Sequence, residues 1–287
     1  MKIALAQMVS TADVEQNQQQ ILHMIEEASV QGAQTIFFPE NALLMDTAQL
    51  RHFAETIGFM SPAISQPHAF PWLATAAQEF NISVNLGSVP LAFQPDGTAV
   101  QNNRVRAAQL WFDQTGQLFA RYDKIHLFDA SVQDAQGSYK ESNTMEPGVQ
   151  SVVTEYGGFK WGLSICYDLR FPKLYQQLRA DGAEVLVVPS AFTQVTGEAH
   201  WEPLLRARAI EQQCYVIGIN QGGRHSSSRE TYGHSMVIDP WGRVLSEFPT
   251  GAGMCYAQID LEAVHTVRQQ MPVAEHQMSI PLSISTV

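Results

Sequence analysis

Residues 159–190 read "FKWGLSICYDLRFPKLYQQLRADGAEVLVVPS". An apolar run, "FKWGLSIC", has the length of a β-strand. "FPKLYQQLRADGA" follows and reads as a helix. "EVLVVPS" is a short apolar run of the kind that fills a strand buried on both faces. Strand, helix and strand in succession mark an α/β chain. In open α/β sheets, binding sites form beyond the carboxyl ends of strands. Cys166 stands at such an end, where the apolar run stops and the charged stretch begins. Alone, a free cysteine is more often a small buried hydrophobe than a reactive group.

The same alternation extends in both directions. "KIALAQMV" is a strand, and 14–33 has apolar residues at Ile21, Leu22, Met24, Ile25 and Ala28, a helical spacing. "TIFFP" (35–39) is a short apolar strand. A helix over 70–81 and a strand over 82–89 come next, then a hairpin over 104–124 turning near Asp113–Gly116. Residues 128–148, "FDASVQDAQGSYKESNTMEPG", lack periodicity and predict a long loop, which in a compact chain is more often functional than idle. Beyond Ser190 the sequence predicts a helix over 200–214, a strand over 215–221 and a hairpin over 231–248 turning at Pro240–Gly242. A last strand at 254–261, a short helix at 261–271 and an irregular tail from about 272 complete the chain. No repeat or linker interrupts the pattern, so one domain over 1–287 is expected.

Charge and composition narrow the functions. The formal net charge of −11 argues against nonspecific nucleic-acid binding, which needs a basic surface. If the ligand is an anion, arginines must be concentrated locally against that acidic background. Only five lysines are present, Lys2, Lys124, Lys140, Lys160 and Lys173, so a functional one stands out. Three cysteines, an odd number, form no disulfide framework and fit a reducing compartment, the cytoplasm. The N-terminal "MKIALAQMVS" lacks a signal-peptide cleavage site, and no apolar stretch is long enough to span a bilayer. The nine histidines show no zinc-type spacing, so neither metal nor cofactor is expected.

Three strand ends carry reactive residues: Glu40 in "TIFFPEN", Lys124 in "ARYDKIHLFD" and Cys166. Each has a plain reading by itself. Glu40 suits a helix start, and a lysine is normally solvated. Together they form a chemical set. A thiolate is the nucleophile, and a free cysteine holds too little of it at neutral pH. A carboxylate accepts the thiol proton and later returns it to a leaving amine. An ammonium offsets the carboxylate and stabilises the oxyanion of a tetrahedral intermediate, with the Tyr167 N–H as a second donor. His126, two residues past Lys124, is the runner-up base. Cys214 and Cys255 lie beside apolar strand residues and read as core.

"FFPEN", "YDKIHLFD" and "GLSICYDLRFP", in that order, resemble the motifs of the nitrilase superfamily of carbon–nitrogen hydrolases, over about residues 1–275. The resemblance implies a four-layer αββα sandwich, a Glu–Lys–Cys triad and a homodimer or higher homo-oligomer. It also implies a second glutamate near the nucleophile, Glu141, inside the long loop. Residues 188–225 and "TYGHSMVIDPWG" (231–242) are similar to the branch that includes deaminated glutathione amidase and ω-amidase. The loop "NALLMDTAQLRHF" (41–53) departs from the aromatic-rich ω-amidase pattern. The implied substrate is then a dicarboxylate amide, deaminated glutathione, cleaved to 2-oxoglutarate and Cys-Gly. Arginines suit its carboxylates: Arg170 at one end, and Arg224, His225 or Arg229 at the other. Thr196 and Gly197 would frame the acyl pocket, while His200 and Trp201 pack a helix start. The alternatives are an ω-amidase acting on 2-oxoglutaramate and a non-catalytic α/β binding protein with a vestigial triad.

Overall fold

The structure is a computed structural model and describes residues 1–57 and 70–278. Its first half runs β1 (Lys2–Gln7), α1 (Val14–Val30), β2 (Thr35–Phe37), α2 (Leu50–Thr56), α3 (Pro71–Glu79), β3 (Ser83–Leu91), β4 (Arg106–Phe112), β5 (Leu118–Asp123), β6 (Asp129–Ser131) and β7 (Ser138–Lys140). The second half runs β8 (Val152–Tyr156), β9 (Phe159–Leu163), α4 (Pro172–Ala180), β10 (Val185–Ser190), α5 (Gln194–Gln212), β11 (Tyr215–Asn220), β12 (Gly222–Arg224), β13 (Glu230–Tyr232), β14 (Ser235–Ile238), β15 (Val244–Phe248), β16 (Gly253–Gln258), α6 (Leu261–Gln270) and α7 (Val273–His276).

The strands form two mixed six-stranded sheets, ordered β16-β1-β2-β3-β4-β5 and β15-β14-β11-β10-β9-β8. The parallel centres, β1-β2-β3 and β9-β10-β11, come from the alternating strand–helix segments. The antiparallel flanks come from the hairpins. β16 returns to pair with β1, placing Gln258 opposite Lys2.

Side-chain alternation sorts the layers. Ile3 and Leu5 join one apolar cluster with Phe37, Trp111 and Trp161, whereas Ala4 and Ala6 join another with Ile36, Phe38 and the inner faces of α1 and α3. Between the sheets, the Trp161 ring packs edge-on to Trp111 with centroids 5.0 Å apart and lies 5.6 Å from Phe37. Gly162 presses on Leu178 of α4, and Gly218 on Trp201 and Leu205 of α5. The order is helices, sheet, sheet, helices: the αββα sandwich.

Several details depart from the sequence reading. The 128–148 segment is not all loop, since β6 and β7 form a small ribbon. Its tip is closed by Asp134, whose carboxylate accepts the N–H groups of Gln136 and Gly137; such local bonds leave no periodicity to read. Leu50, Phe53 and Ala54 are buried along one face of α2, an apolar spacing confined to a single turn. Helix α5 starts at Gln194, ahead of His200, because Thr193 caps it by accepting the Thr196 N–H at 3.2 Å. Val273–His276 is a helical turn within the expected tail, whose residues 279–287 lie outside the described ones.

Trp161 is fully buried between the sheets, and its Nε1–H donates to the Tyr156 carbonyl at 2.9 Å. Trp161→Ala should destabilise the fold by about 3–5 kcal/mol, read as a lower urea midpoint.

Candidate active site

Three strand ends converge. Glu40 follows β2 by way of Pro39. Strand β3 crosses so close that a Cβ on Gly87 would stand 2.1 Å from the Pro39 carbonyl oxygen, so glycine is required there. Lys124 follows β5 directly. Cys166 follows β9 and opens a 3₁₀ turn, Cys166–Arg170, with a left-handed φ of 48°. A non-glycine residue in that region costs about 1–3 kcal/mol and marks a functional or constrained site.

The Lys124 ammonium is sealed from solvent and lies 2.8 Å from Glu40 Oε1 and 2.8 and 3.0 Å from the two oxygens of Glu141. Glu141 also accepts the Phe128 N–H at 2.7 Å. The segment bearing Glu141 is clamped to the strands bearing Lys124. Glu146 donates its N–H to the Val105 carbonyl, Gly148 to that of Lys124, and the Glu146 carboxylate pairs with Arg106 at 2.6 Å. Arg121 grips Asp123 through both carboxylate oxygens, at 2.7 and 3.0 Å.

The charges set the resting protonation states. Burial pulls the Lys124 pKa down, but Glu141 and Glu40 outweigh it and hold the ammonium well above the usual lysine range. Burial and the Glu40 charge push the Cys166 thiol well above its ordinary range, against the opposing pull of Lys124. The resting group is therefore a neutral thiol beside two carboxylates and one ammonium. The Ala191 N–H, just past β10, also faces the sulfur.

Glu40, Glu141 and Cys166 open into a cavity of about 700 Å³, also lined by Tyr167, Arg170, Phe192, Thr196 and Arg229. Two pocket arginines lack the carboxylate partner that several others have. Arg104, Arg106, Arg121 and Arg208 each pair with a carboxylate. Among the described residues, no carboxylate pairs with Arg170 or Arg229. Arg170 stacks over Phe192 at 5.3 Å and meets His200 Nδ1 at 3.3 Å. Arg229 donates Nη2–H to the Ala191 carbonyl at 2.7 Å and lies over the Tyr139 ring. Its Nη1 is buried without a well-formed hydrogen bond.

Of the residues picked from sequence, Glu40, Lys124, Cys166 and Glu141 come together, and Tyr167, Arg170 and Thr196 line the cavity. Arg224 does not line it. It crosses the β12–β13 ribbon to pair with Glu230 at 3.1 Å on the exposed side, and Arg229 takes the inward place. Gly197 presses on Tyr232 instead of framing the pocket. His225 is no anion holder, for both ring nitrogens are engaged, by Ser10 O and Thr231 Oγ1 at 2.7 Å, and burial lowers its pKa to about 4. His126 is not aimed at the thiol, because β5 stops at Asp123 and no strand carries it onto the face of Lys124. Its Nδ1 lies 2.6 Å from Asp168, and its ring stacks on Phe171. Trp201, Cys214 and Cys255 are buried, and Trp201 bonds the His234 carbonyl. Sequence reasoning passed over Ala191, Phe192 and Asp168. "VVPSAF" is itself a strand end, and that signal would have found the first two. Among the described residues, no cluster of His, Cys, Asp and Glu suits a metal ion, and no helix is long and apolar enough to cross a membrane.

The thiol's surroundings predict opposite shifts in two variants. Glu40→Gln removes an anion and should lower the Cys166 pKa. Lys124→Gln removes the cation and should raise it. The pH profile of Cys166 alkylation by a neutral haloacetamide should move down in the first variant and up in the second.

A family model, carbon–nitrogen hydrolase, matches residues 2–269. The chain is 40% identical to a deaminated glutathione amidase of Yersinia enterocolitica, over 96% of this chain and 92% of that protein. The fold superimposes on the C. elegans NitFhit protein with a TM-score of 0.83 at 36% identity, covering 96% of this chain and 64% of that one. It also superimposes on Saccharomyces cerevisiae Nit3, a member of branch 10 of the nitrilase superfamily, with a TM-score of 0.80 at 30% identity, covering 95% and 94%. This chain spans less than two thirds of the C. elegans protein but nearly all of the other two. With the motifs, the two-sheet sandwich and these full-length matches in agreement, the chain belongs to the carbon–nitrogen hydrolases of the nitrilase superfamily.

Proposed function

We propose that this enzyme hydrolyses deaminated glutathione to 2-oxoglutarate and Cys-Gly through a thioester on Cys166. The observation that carries the substrate is the pair of pocket arginines, Arg170 and Arg229, without carboxylate partners in a chain of net charge −11. An unpaired cation in a partly enclosed pocket is unfavourable until an anion arrives. Deaminated glutathione brings two carboxylates, one on each side of its scissile amide, and arginine binds them through paired N–H groups. Its name is also that of the substrate of the Yersinia relative.

The chemistry follows from the resting charges. As Cys166 Sγ attacks the amide carbonyl, its proton passes to Glu40. The oxyanion that forms is met by the Lys124 ammonium and by the N–H of Tyr167. The latter lies in the first turn after Cys166, where helix donors lack intrahelical partners. The C–N bond breaks, Glu40 protonates the departing amine, and Cys-Gly leaves. Water then adds to the thioester with Glu40 as base, releasing 2-oxoglutarate and returning the proton to sulfur. Glu141 keeps Lys124 charged and aimed. Thr196 lines the acyl side. No step calls for a metal or cofactor. The reading carries with it one hydrolase domain over residues 1–287, acting in the cytoplasm as a homodimer or higher homo-oligomer.

The test is a coupled 2-oxoglutarate assay with two substrates. 2-Oxoglutaramate has the acyl carboxylate but lacks the one on Cys-Gly, so its kcat/KM should be lower by about 10–10²-fold, the worth of one charged hydrogen-bonded contact. Equal or reversed values would make the protein an ω-amidase. Cys166→Ala should abolish turnover with the fold intact, and Lys124→Gln should cost ~10²–10³-fold in kcat. Arg229→Gln should weaken deaminated glutathione selectively, whereas Arg224→Gln, breaking an exposed pair, should leave both substrates unchanged. Tight binding without covalent labelling of Cys166 would point to a binding protein instead.

A further inference from the structure

Asp168 is fully buried, two residues past the nucleophile, and has no place in the chemistry above. Its two oxygens gather groups from both sides of the site. Oδ2 accepts the Tyr122 phenol O–H at 2.7 Å and the Ile165 N–H at 2.9 Å. Oδ1 accepts the His126 N–H at 3.0 Å and lies 2.6 Å from His126 Nδ1. Burial and the adjacent Asp168 charge hold the Tyr122 phenol well above its ordinary range, so it remains a donor. Tyr122 and His126 bracket Lys124 by two residues on each side. Ile165 and Asp168 bracket Cys166.

One carboxylate therefore ties the turn that presents the thiol to the segment that presents the ammonium. The tie matters because both residues stand just past the end of a strand, Cys166 at the head of a single 3₁₀ turn. β5 ends at Asp123, β9 ends at Leu163, and Cys166 adopts a left-handed backbone that relaxes unless its neighbours fix it.

We propose that Asp168 is a positioning residue that sets the Lys124–Cys166 geometry through Tyr122, His126 and Ile165. The inference rests on the Glu–Lys–Cys reading but is independent of which amide is cleaved. Asp168→Asn keeps the shape and removes the acceptor needed by at least one donor. Small displacements of reacting groups are enough to cost about 10²-fold.

The experiment is a double-mutant cycle on the full chain, with turnover of an amide substrate and single-turnover acylation of Cys166 as readouts. Asp168→Asn should lower kcat and the acylation rate by about 10²-fold, with KM within about threefold and a cooperative melt retained. In a Lys124→Gln background the same change should cost less than about threefold, because groups acting as one unit are non-additive. If Asp168→Asn costs the same factor in both backgrounds, or leaves kcat unchanged, Asp168 is merely structural and the proposal fails alone. If Lys124→Gln turns over at the wild-type rate, the triad reading fails and takes this one with it. Should Asp168→Asn not fold, Tyr122→Phe removes a single donor from the same carboxylate. It should show about tenfold loss in kcat with the same non-additivity, and full additivity there would equally overturn the idea.

Discussion

The Lys124 ammonium, closed off from water between Glu40 and Glu141, is the constraint on which the site depends. An isolated ammonium loses far more on burial than the fold's net stability can supply, and it would shed its proton instead. Two carboxylates reverse that outcome, and they also make the trio net negative. Burial, with that surplus charge beside it, keeps the neighbouring thiol protonated. Bringing the three groups together requires three remote segments, 40, 124 and 141, to be placed to within a fraction of an ångström. Gly87 against Pro39 and the Arg106–Glu146 pair accomplish this from opposite sides.

The sandwich supplies the geometry. Parallel strands at the centre of each sheet send their carboxyl ends the same way, so β2 and β9 deliver Glu40 and the Cys166 turn to one end of the stacked sheets. β5 reaches the same place through an antiparallel hairpin. The aromatic contacts of Trp161 with Trp111 and Phe37 fix the two sheets against each other, and Phe37 and Trp161 lie on β2 and β9, two of the strands that end in the site. Core packing and site alignment are here one requirement.

What could be read from the sequence divides along a physical line. Glu40, Lys124 and Cys166 were legible because each follows a strand, and strand ends in α/β folds are fixed in space by the sheet. Arg170, four residues past Cys166, and Thr196, in the segment similar to the family branch, both line the cavity. The choice between Arg224 and Arg229 was not legible, since it depends on cross-strand pairing in the β12–β13 ribbon, where Arg224 faces Glu230. Pairing in a three-residue ribbon leaves no pattern in composition. His126 misled for a related reason: the alternation that would place it beside Lys124 requires a strand that has already ended. Asp168 was hidden by its type, for an Asp early in a helical turn reads as an ordinary cap until its partners are known.

An acidic enzyme for a dianionic substrate looks like a contradiction, and distance resolves it. At physiological ionic strength, charges separated by more than about 8 Å of solvent are largely screened. The net charge of −11 is therefore a property of the outer surface, and an anion inside the cavity meets mainly the groups that line it. There the balance is local. Glu40, Glu141 and Lys124 leave one negative charge beside the sulfur, while Arg170 and Arg229 place two positive charges farther along the wall. A substrate with carboxylates at its ends and a neutral amide between them matches that order. Its anions are held away from Glu40 and Glu141, and only the uncharged carbonyl approaches the thiol. In the proposed mechanism the negative charge that appears during attack is the oxyanion, and it forms next to the one cation that the two glutamates have kept protonated.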